Sequence, residues 1–290
     1  MKPFPYYLIV CLLLNGCLFA QINAVIQEQK IYKTIDGRQL KVDMFFAEGT
    51  QRRQQNPSIA FFHGGGWAYG SPDEFHAACV RYAKKGFITF SFQYRLSVNE
   101  DGSVPHPEIT PVESVKDARS AMRWLRENAV LFHIDPDKIV AGGQSAGGQL
   151  ALSTAIIDDV NEASDNLDTS PVPNAFLLYS SNVNTMEAWV DRLLGDRRNE
   201  IWSISPYHNL KAGLPPAIEF HGEEDCVVPI WIVHLFKEKT TQLGNYFELI
   251  PVEGCGHYLG EGNETYATYF DEDILERTDE FLEKFGFINP

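Results

Sequence analysis

Apolar and polar positions alternate from the start of the readable pattern. Residues 28–46 hold two such runs, EQKIYKTI and RQLKVDMFF, separated by Asp36-Gly37. A period of two is the mark of a half-buried strand, and Asp-Gly between two strands is a strong hairpin signal. The pattern then changes. Ser58 to Phe62 is a short, continuous apolar run that stops at His63-Gly64-Gly65-Gly66, as expected of a strand covered on both faces. Beyond it, strand and helix patterns take turns. A helix is expected over Pro72–Lys85, closed by Gly86; a strand over Phe87–Phe92; and a helix whose Val115, Ala118, Met122 and Leu125 share one face. Further strands fall at Lys138–Gly142, Ala175–Tyr179, Ala217–Phe220 and Tyr246–Ile250, with a helical segment ending at Ile157 and a last helix presenting Ile274, Phe281, Leu282 and Phe285. Such alternation predicts an α/β fold, a mostly parallel central sheet with helices on both faces. No repeat or linker divides residues 28–290, which read as a single domain, and the irregular stretch Ser180–Pro215 reads as a small lid insertion over the sheet.

The N-terminal residues follow a different rule. Lys2 precedes YYLIVCLLL (Tyr6 to Leu14), too short for a bilayer-spanning helix of about 20 residues, so residues 1–20 read as a secretory signal. Two processing readings fit. Leu14-Asn15-Gly16-Cys17 resembles a bacterial lipobox, which would make Cys17 a lipid anchor, whereas Ala20 before Gln21 suits ordinary signal peptidase. Both imply an exported protein, secreted, periplasmic or membrane-anchored, with no transmembrane segment once the signal is removed. Composition adds one exclusion. The net charge of −15 repels phosphate backbones, so nucleic acid is not an expected partner.

The residues that could carry chemistry stand at strand ends. Gly143-Gln144-Ser145-Ala146-Gly147 matches G-x-S-x-G between a buried strand and a helix, the context in which a serine sits exposed on a sharp turn beside a helix N-terminus. Glycines after the earlier strand let backbone N–H groups face a cleft, which makes Gly65, Gly66 and Ala146 the candidate oxyanion donors. A dinucleotide fingerprint through Gly64, Gly66 and Gly70 fits poorly, since its spacing is wrong and no acidic residue ends the next strand. A serine needs a base and the base an orienting acid. Asp225 and His257 follow the last two strands, and the order Ser145, Asp225, His257 is the one this strand–helix pattern calls for. Glu223 and Glu224 are alternative acids in the same loop, and His221 is read as a loop organiser. His76, His106, His133, His208 and His234 show no partner spacing. With no HExxH, paired CxxC or P-loop in the sequence, no metal or cofactor is expected. If Asp225 meets His257, then Cys226 and Cys255 lie on loops brought together, and in an oxidising compartment a disulfide between them is expected.

These motifs resemble the α/β-hydrolase superfamily, and within it the bacterial esterases sharing an HGGGW oxyanion loop, including the carbohydrate acetyl and feruloyl esterase-like group related to hormone-sensitive-lipase-like esterases. The resemblance covers most of the chain after residue 30, through YKTIDGRQLKVDMFF, FFHGGGWAYGS, SFQYRLS, FHIDPDKIVAGGQSAGGQLAL and SPYHNLKAGLPPAIEFHGEEDCVVP. Gln144 and Gln149 depart from the commoner choices, and the long helical N-terminal cap is missing. The resemblance implies a serine esterase working through a covalent acyl-enzyme, with short or aromatic acyl groups on a carbohydrate-type alcohol. The substrate would be a small-molecule or glycan ester, with Trp67, Tyr69, Trp189 and Trp202 lining the cleft. A peptidase-type or lipase-type hydrolase, or a non-catalytic binding protein on the same fold, are the competing readings.

Overall fold

The computed structural model describes residues 24–50, 55–259 and 271–288; the signal-peptide and Cys17 readings lie outside them. β1 (Val25–Ile35) and β2 (Arg38–Ala47) form the expected antiparallel hairpin. Its turn carries Asp36 at φ 49° and Gly37 at φ 75°, the doubly positive conformation that matches the twist of the flanking strands. The remaining strands are β3 (Asn56–Phe62), β4 (Ile88–Phe92), β5 (Ile134–Gln144), β6 (Ala175–Tyr179), β7 (Ala217–Gly222) and β8 (Phe247–Val252). They make one sheet in the order β1-β2-β4-β3-β5-β6-β7-β8, parallel from β4 to β8.

Burial on both faces explains why these strands are apolar throughout. In β3, Ile59 and Phe61 join one core while Ala60 and Phe62 join the other. The first core packs against α1 (His76–Lys84) through Cys79 and Tyr82 and against α6 (Glu272–Lys284) through Phe281 and Leu282. The second lies under α2 (Pro111–Glu127), α3 (Ala146–Ile156) and α5 (Ile230–Gln242), through Val115, Met122, Leu150, Val233 and Phe236. α3 is buried along its whole length, as a helix without a polar face must be. No helix among the described residues is long and apolar enough to cross a membrane.

The sheet order fixes where a site can form. From β3 the chain crosses to β4 on one side, then returns past β3 to β5 on the other. Loops leaving the C-terminal ends of β3 and β5 therefore part in opposite directions and leave a crevice, the usual ligand site of such sheets. The segment between β6 and β7 contains α4 (Ala188–Leu194). It folds down onto the second core through Val183, Val190, Leu193, Leu194, Ile201 and Ile204.

Two sequence expectations need correction here. Residues Pro72–Phe75 form a 3-10 turn that precedes α1 and do not continue it. Trp67 does not line a cleft: it is 1% exposed and belongs to the second core. Its Nε1 donates to Gln149 Oε1 at 3.0 Å, and Gln149 in turn donates to the Ile204 carbonyl at 2.7 Å. A buried indole N–H needs a partner, and here that partner ties the loop after β3 to α3 and to the β6–β7 segment.

Candidate active site

β5 ends at Gln144 and α3 starts at Ala146, so Ser145 must turn the chain alone. It does so at φ 52° and ψ −116°, a region that costs a non-glycine residue about 1–3 kcal/mol. The turn is held in three ways. Ser145 N donates to the Tyr179 carbonyl at 3.0 Å, Asn182 N donates to the Ser145 carbonyl at 3.1 Å, and Gln149 N donates to the same carbonyl at 3.1 Å. Glycine is needed on both sides because the turn is pressed against β3. A Cβ at Gly147 would overlap the carbonyl oxygens of Phe62 and His63, and one at Gly143 would overlap Gly147.

The other two residues arrive from β7 and β8. His257 Nε2 lies 3.0 Å from Ser145 Oγ, and His257 Nδ1 lies 2.8 Å from Asp225 Oδ2. Asp225 Oδ1 accepts from the backbone N–H groups of Val227 and Val228, both at 2.8 Å. Burial opposes the charge on Asp225, but hydrogen bonds from His221 and His257, with the charge of His257, hold it well below the usual carboxylate range. Glu223 and Glu224 are exposed, and Asp225 is the acid that meets the imidazole. The side-chain amide of Gln144 also donates toward His257 Nε2, at 3.2 Å. With Ser145 and Gln144 offering donors to Nε2 and a carboxylate facing Nδ1, the neighbours assign the ring proton to Nδ1.

The turn after β3 faces this set across the crevice. Gly65 and Gly66 adopt φ 105° and 60°. Gly64 N donates to Glu74 Oε2 at 2.8 Å, His63 Nδ1 donates to the Gly64 carbonyl at 2.7 Å, and the Tyr94 hydroxyl donates to the His63 carbonyl at 2.9 Å. Tyr69 N donates to the Gly65 carbonyl at 2.9 Å and Trp189 Nε1 to the Gly66 carbonyl at 2.9 Å. Among the described residues none of these bonds takes the Gly65 or Gly66 N–H. Burial lowers the His63 imidazole to about 4, so the ring that shapes the turn is neutral at neutral pH.

The four aromatic residues read as cleft lining separate. Tyr69 is half-exposed within the turn, and Trp189 is partly buried on Gly66. Trp202 is exposed and packs edge-on against His208, while Trp67 is core. The expected disulfide is also absent: Cys226 is exposed and Cys255 buried, and no bridge joins them. Their loops do meet, but through the backbone. Glu224 N donates to the Cys255 carbonyl at 2.9 Å, and Gly222 fits against the Cys255 and Gly256 carbonyls where a Cβ would clash.

Three acidic groups escaped the sequence reading. Glu219 and His221 lie buried beneath Asp225. Glu187 takes a hydrogen bond from Asn182; burial holds its carboxyl above the usual range, and that hydrogen bond and the nearby His257 offset the rise only in part. Glu74 holds the glycine turn, and burial pushes its carboxyl from 4.5 up to about 7, against the hydrogen bond from Gly64 that lowers it. A carboxyl raised on folding stabilises the fold while protonated, and that contribution is lost as pH rises from about 4.5 through about 7. Glu74→Gln keeps an acceptor for Gly64 N without the charge. Its thermal midpoint should match the wild type at pH 4 and exceed it at pH 8; equal midpoints at pH 8 would contradict the assignment.

A sheet of this order, with a serine on the β5–α3 turn and an acid and a base after β7 and β8, defines an α/β hydrolase. The chain belongs to the BD-FAE family, whose family model matches residues 42–240. It is 29% identical over 235 residues to the esterase LipC of Mycobacterium tuberculosis, covering 73% of this chain and 56% of LipC. It is 27% identical over 267 residues to lipase 2 of a Moraxella species, covering 80% of this chain and 59% of that one. The chain thus spans under three-fifths of the length of these two relatives. Among solved structures, the native esterase 2 of Thermogutta terrifontis superposes with a TM-score of 0.81 at 34% identity, over 91% of this chain and 94% of that one. The same esterase has been solved with propionate and with butyrate bound, and phosphorylated by paraoxon.

Proposed function

We propose that this protein is an exported carboxylic ester hydrolase that works through an acyl-enzyme on Ser145, on short or aromatic acyl esters of polar, carbohydrate-type alcohols. The observation that carries the reading is the continuous chain Asp225–His257–Ser145, with its 2.8 and 3.0 Å links. His257 Nε2 takes the hydroxyl proton as Ser145 Oγ attacks the ester carbonyl. Asp225 keeps the other ring proton on Nδ1 and stabilises the imidazolium that forms. The N–H groups of Gly65, Gly66 and Ala146 hold the oxyanion. His257 then protonates the leaving alcohol, and a water activated by the same imidazole releases the acid.

Short acyl groups are favoured because the Trp189 indole packs against Gly66, one of the proposed oxyanion donors, and limits the room beside it. The propionate and butyrate held by the Thermogutta terrifontis esterase support the same preference. Its phosphorylation by paraoxon supports a nucleophile of this kind. The resemblance to carbohydrate esterases and the proposed export support the polar alcohol. Export itself rests on Tyr6 to Leu14, and the mass of the mature protein, starting at Gln21 or at a lipidated Cys17, tests it.

Hydrolysis of acetyl, butyryl, octanoyl and feruloyl esters, with Ser145→Ala as baseline, tests the acyl preference. Acetyl and butyryl esters should exceed the octanoyl ester by about tenfold or more in kcat/KM, roughly 1.4 kcal/mol of transition-state binding. Equal rates across the series would remove the short-acyl assignment while leaving the triad chemistry intact.

A further inference from the structure

His221 lies outside the reacting set but touches it. It stands two residues after Glu219 on β7, so both side chains leave the same face of the strand, and both are fully buried. His221 Nδ1 lies 3.1 Å from Glu219 Oε1. His221 Nε2 lies 2.7 Å from the Val228 carbonyl oxygen and 3.2 Å from Asp225 Oδ2. Each of these neighbours accepts hydrogen bonds. A neutral imidazole has one donor and one acceptor nitrogen, so it would set a ring lone pair against an oxygen on one side; an imidazolium donates on both. Burial opposes that charge, yet the hydrogen bonds to Asp225 and Glu219, with the charge of Glu219, push the ring up to about 10. Glu219 is fixed in turn by the Ser181 N–H on Oε1 at 2.8 Å.

The consequence lies at Asp225 Oδ2, which serves two imidazoles, His257 at 2.8 Å and His221 at 3.2 Å. We propose that His221 is a standing imidazolium that limits, through this shared oxygen, how strongly Asp225 favours the protonated form of His257, with Glu219 as its counter-ion. The proposal rests on the reading of Ser145, Asp225 and His257 as the reacting set. An uncompensated buried carboxylate would hold His257 as a cation, unable to accept the Ser145 proton, over a wider acidic range. A cation on the same oxygen narrows that range. The charged groups facing His221 are Glu219 on β7, Asp225 in the loop that follows, and His257 beyond Asp225, while Glu223 and Glu224 of that loop face solvent. His221 is thus a positioning residue that acts through Asp225.

His221→Gln retains a neutral donor and removes the charge. The acid limb of kcat/KM for a short-chain aryl ester should move to higher pH by about one unit, with the alkaline plateau lowered less than tenfold. A lowered plateau with an unmoved limb is the result of a purely structural role and would overturn the proposal. Nitrogen-15 NMR of the wild-type histidines decides independently of how the variant folds. Both His221 ring nitrogens should carry protons from pH 6 to pH 9, and a neutral ring in that range would overturn the proposal. Hydrolysis that persists in Ser145→Ala would instead remove the underlying reading, and it would do so without changing the NMR result.

Discussion

Ser145→Ala is expected to lower kcat/KM toward a short-chain aryl ester by about 10,000-fold or more, to near background. That corresponds to roughly 5.5 kcal/mol of lost transition-state stabilisation. The loss is large because the hydroxyl is the group that forms the covalent bond. Tight binding of substrate by the crevice and the remaining oxyanion donors would leave only a small residual rate. Members of such a set act as a unit, so Ser145→Ala combined with His257→Ala should be no slower than Ser145→Ala alone. Unfolding by urea should show the single variant as stable as the wild type, since among the described residues the Ser145 hydroxyl bonds the His257 imidazole and supports no other contact of the fold. A variant that keeps more than about one hundredth of the activity would contradict the assignment.

Gly147→Ala should damage both fold and activity. The added methyl would overlap two backbone carbonyls, those of Phe62 and His63, and a backbone carbonyl at the end of a central strand cannot rotate away as a side chain can. The expected cost is at or above the top of the ~1–3 kcal/mol typical of overpacking. Any relief moves the β5–α3 turn away from β3, and with it the Ala146 N–H away from Gly65 and Gly66. An added fall in kcat of about 100-fold or more should follow, the size seen when one oxyanion donor is lost. Gly244→Ala is the control. Unlike Gly147, which sits in α3, it has a positive φ, at 81°, and no atom lies within 4 Å of the added Cβ, so it isolates backbone strain without packing. It should cost about 1–2 kcal/mol for backbone strain and leave kcat unchanged. A Gly147→Ala variant as stable to urea as the wild type, with unchanged kcat, would show that close packing of the turn against β3 does not matter.

Much of the fold can be read locally, and what cannot is set at a distance. The β1–β2 hairpin is legible because alternation and Asp36-Gly37 are properties of adjacent residues. β5 reaches back to Ile134, but Asp135, Pro136 and Asp137 interrupt its apolar run, so the pattern shows only its last part. Nor does periodicity tell that β4 lies outside β3, because sheet order depends on which way each crossover turns. The site divides in the same way. Ser145, Asp225 and His257 each stand just past an apolar strand and near glycines, a signature that needs no knowledge of neighbours, and the structure brings them together. Trp67 looks as exposed as Tyr69 in HGGGWAY; its burial is decided by Gln149, far along the chain. The loops carrying Cys226 and Cys255 do meet, as the acid–base contact requires, yet nothing in the sequence tells which way each thiol faces. Glu219 was legible in one respect. A glutamate inside the apolar run AIEFHG, two residues before a histidine, is a charge that burial tolerates only with a partner.

The most direct measurement is stoichiometric labelling with a fluorophosphonate, followed by mass mapping of the adduct. The account predicts one phosphonyl group per chain on the peptide containing Ser145, no label in Ser145→Ala, and labelling slowed by about 1,000-fold in His257→Ala, where the hydroxyl loses its base. Ester hydrolysis by a wild-type protein that takes up no label, or whose label maps to another residue, would contradict it.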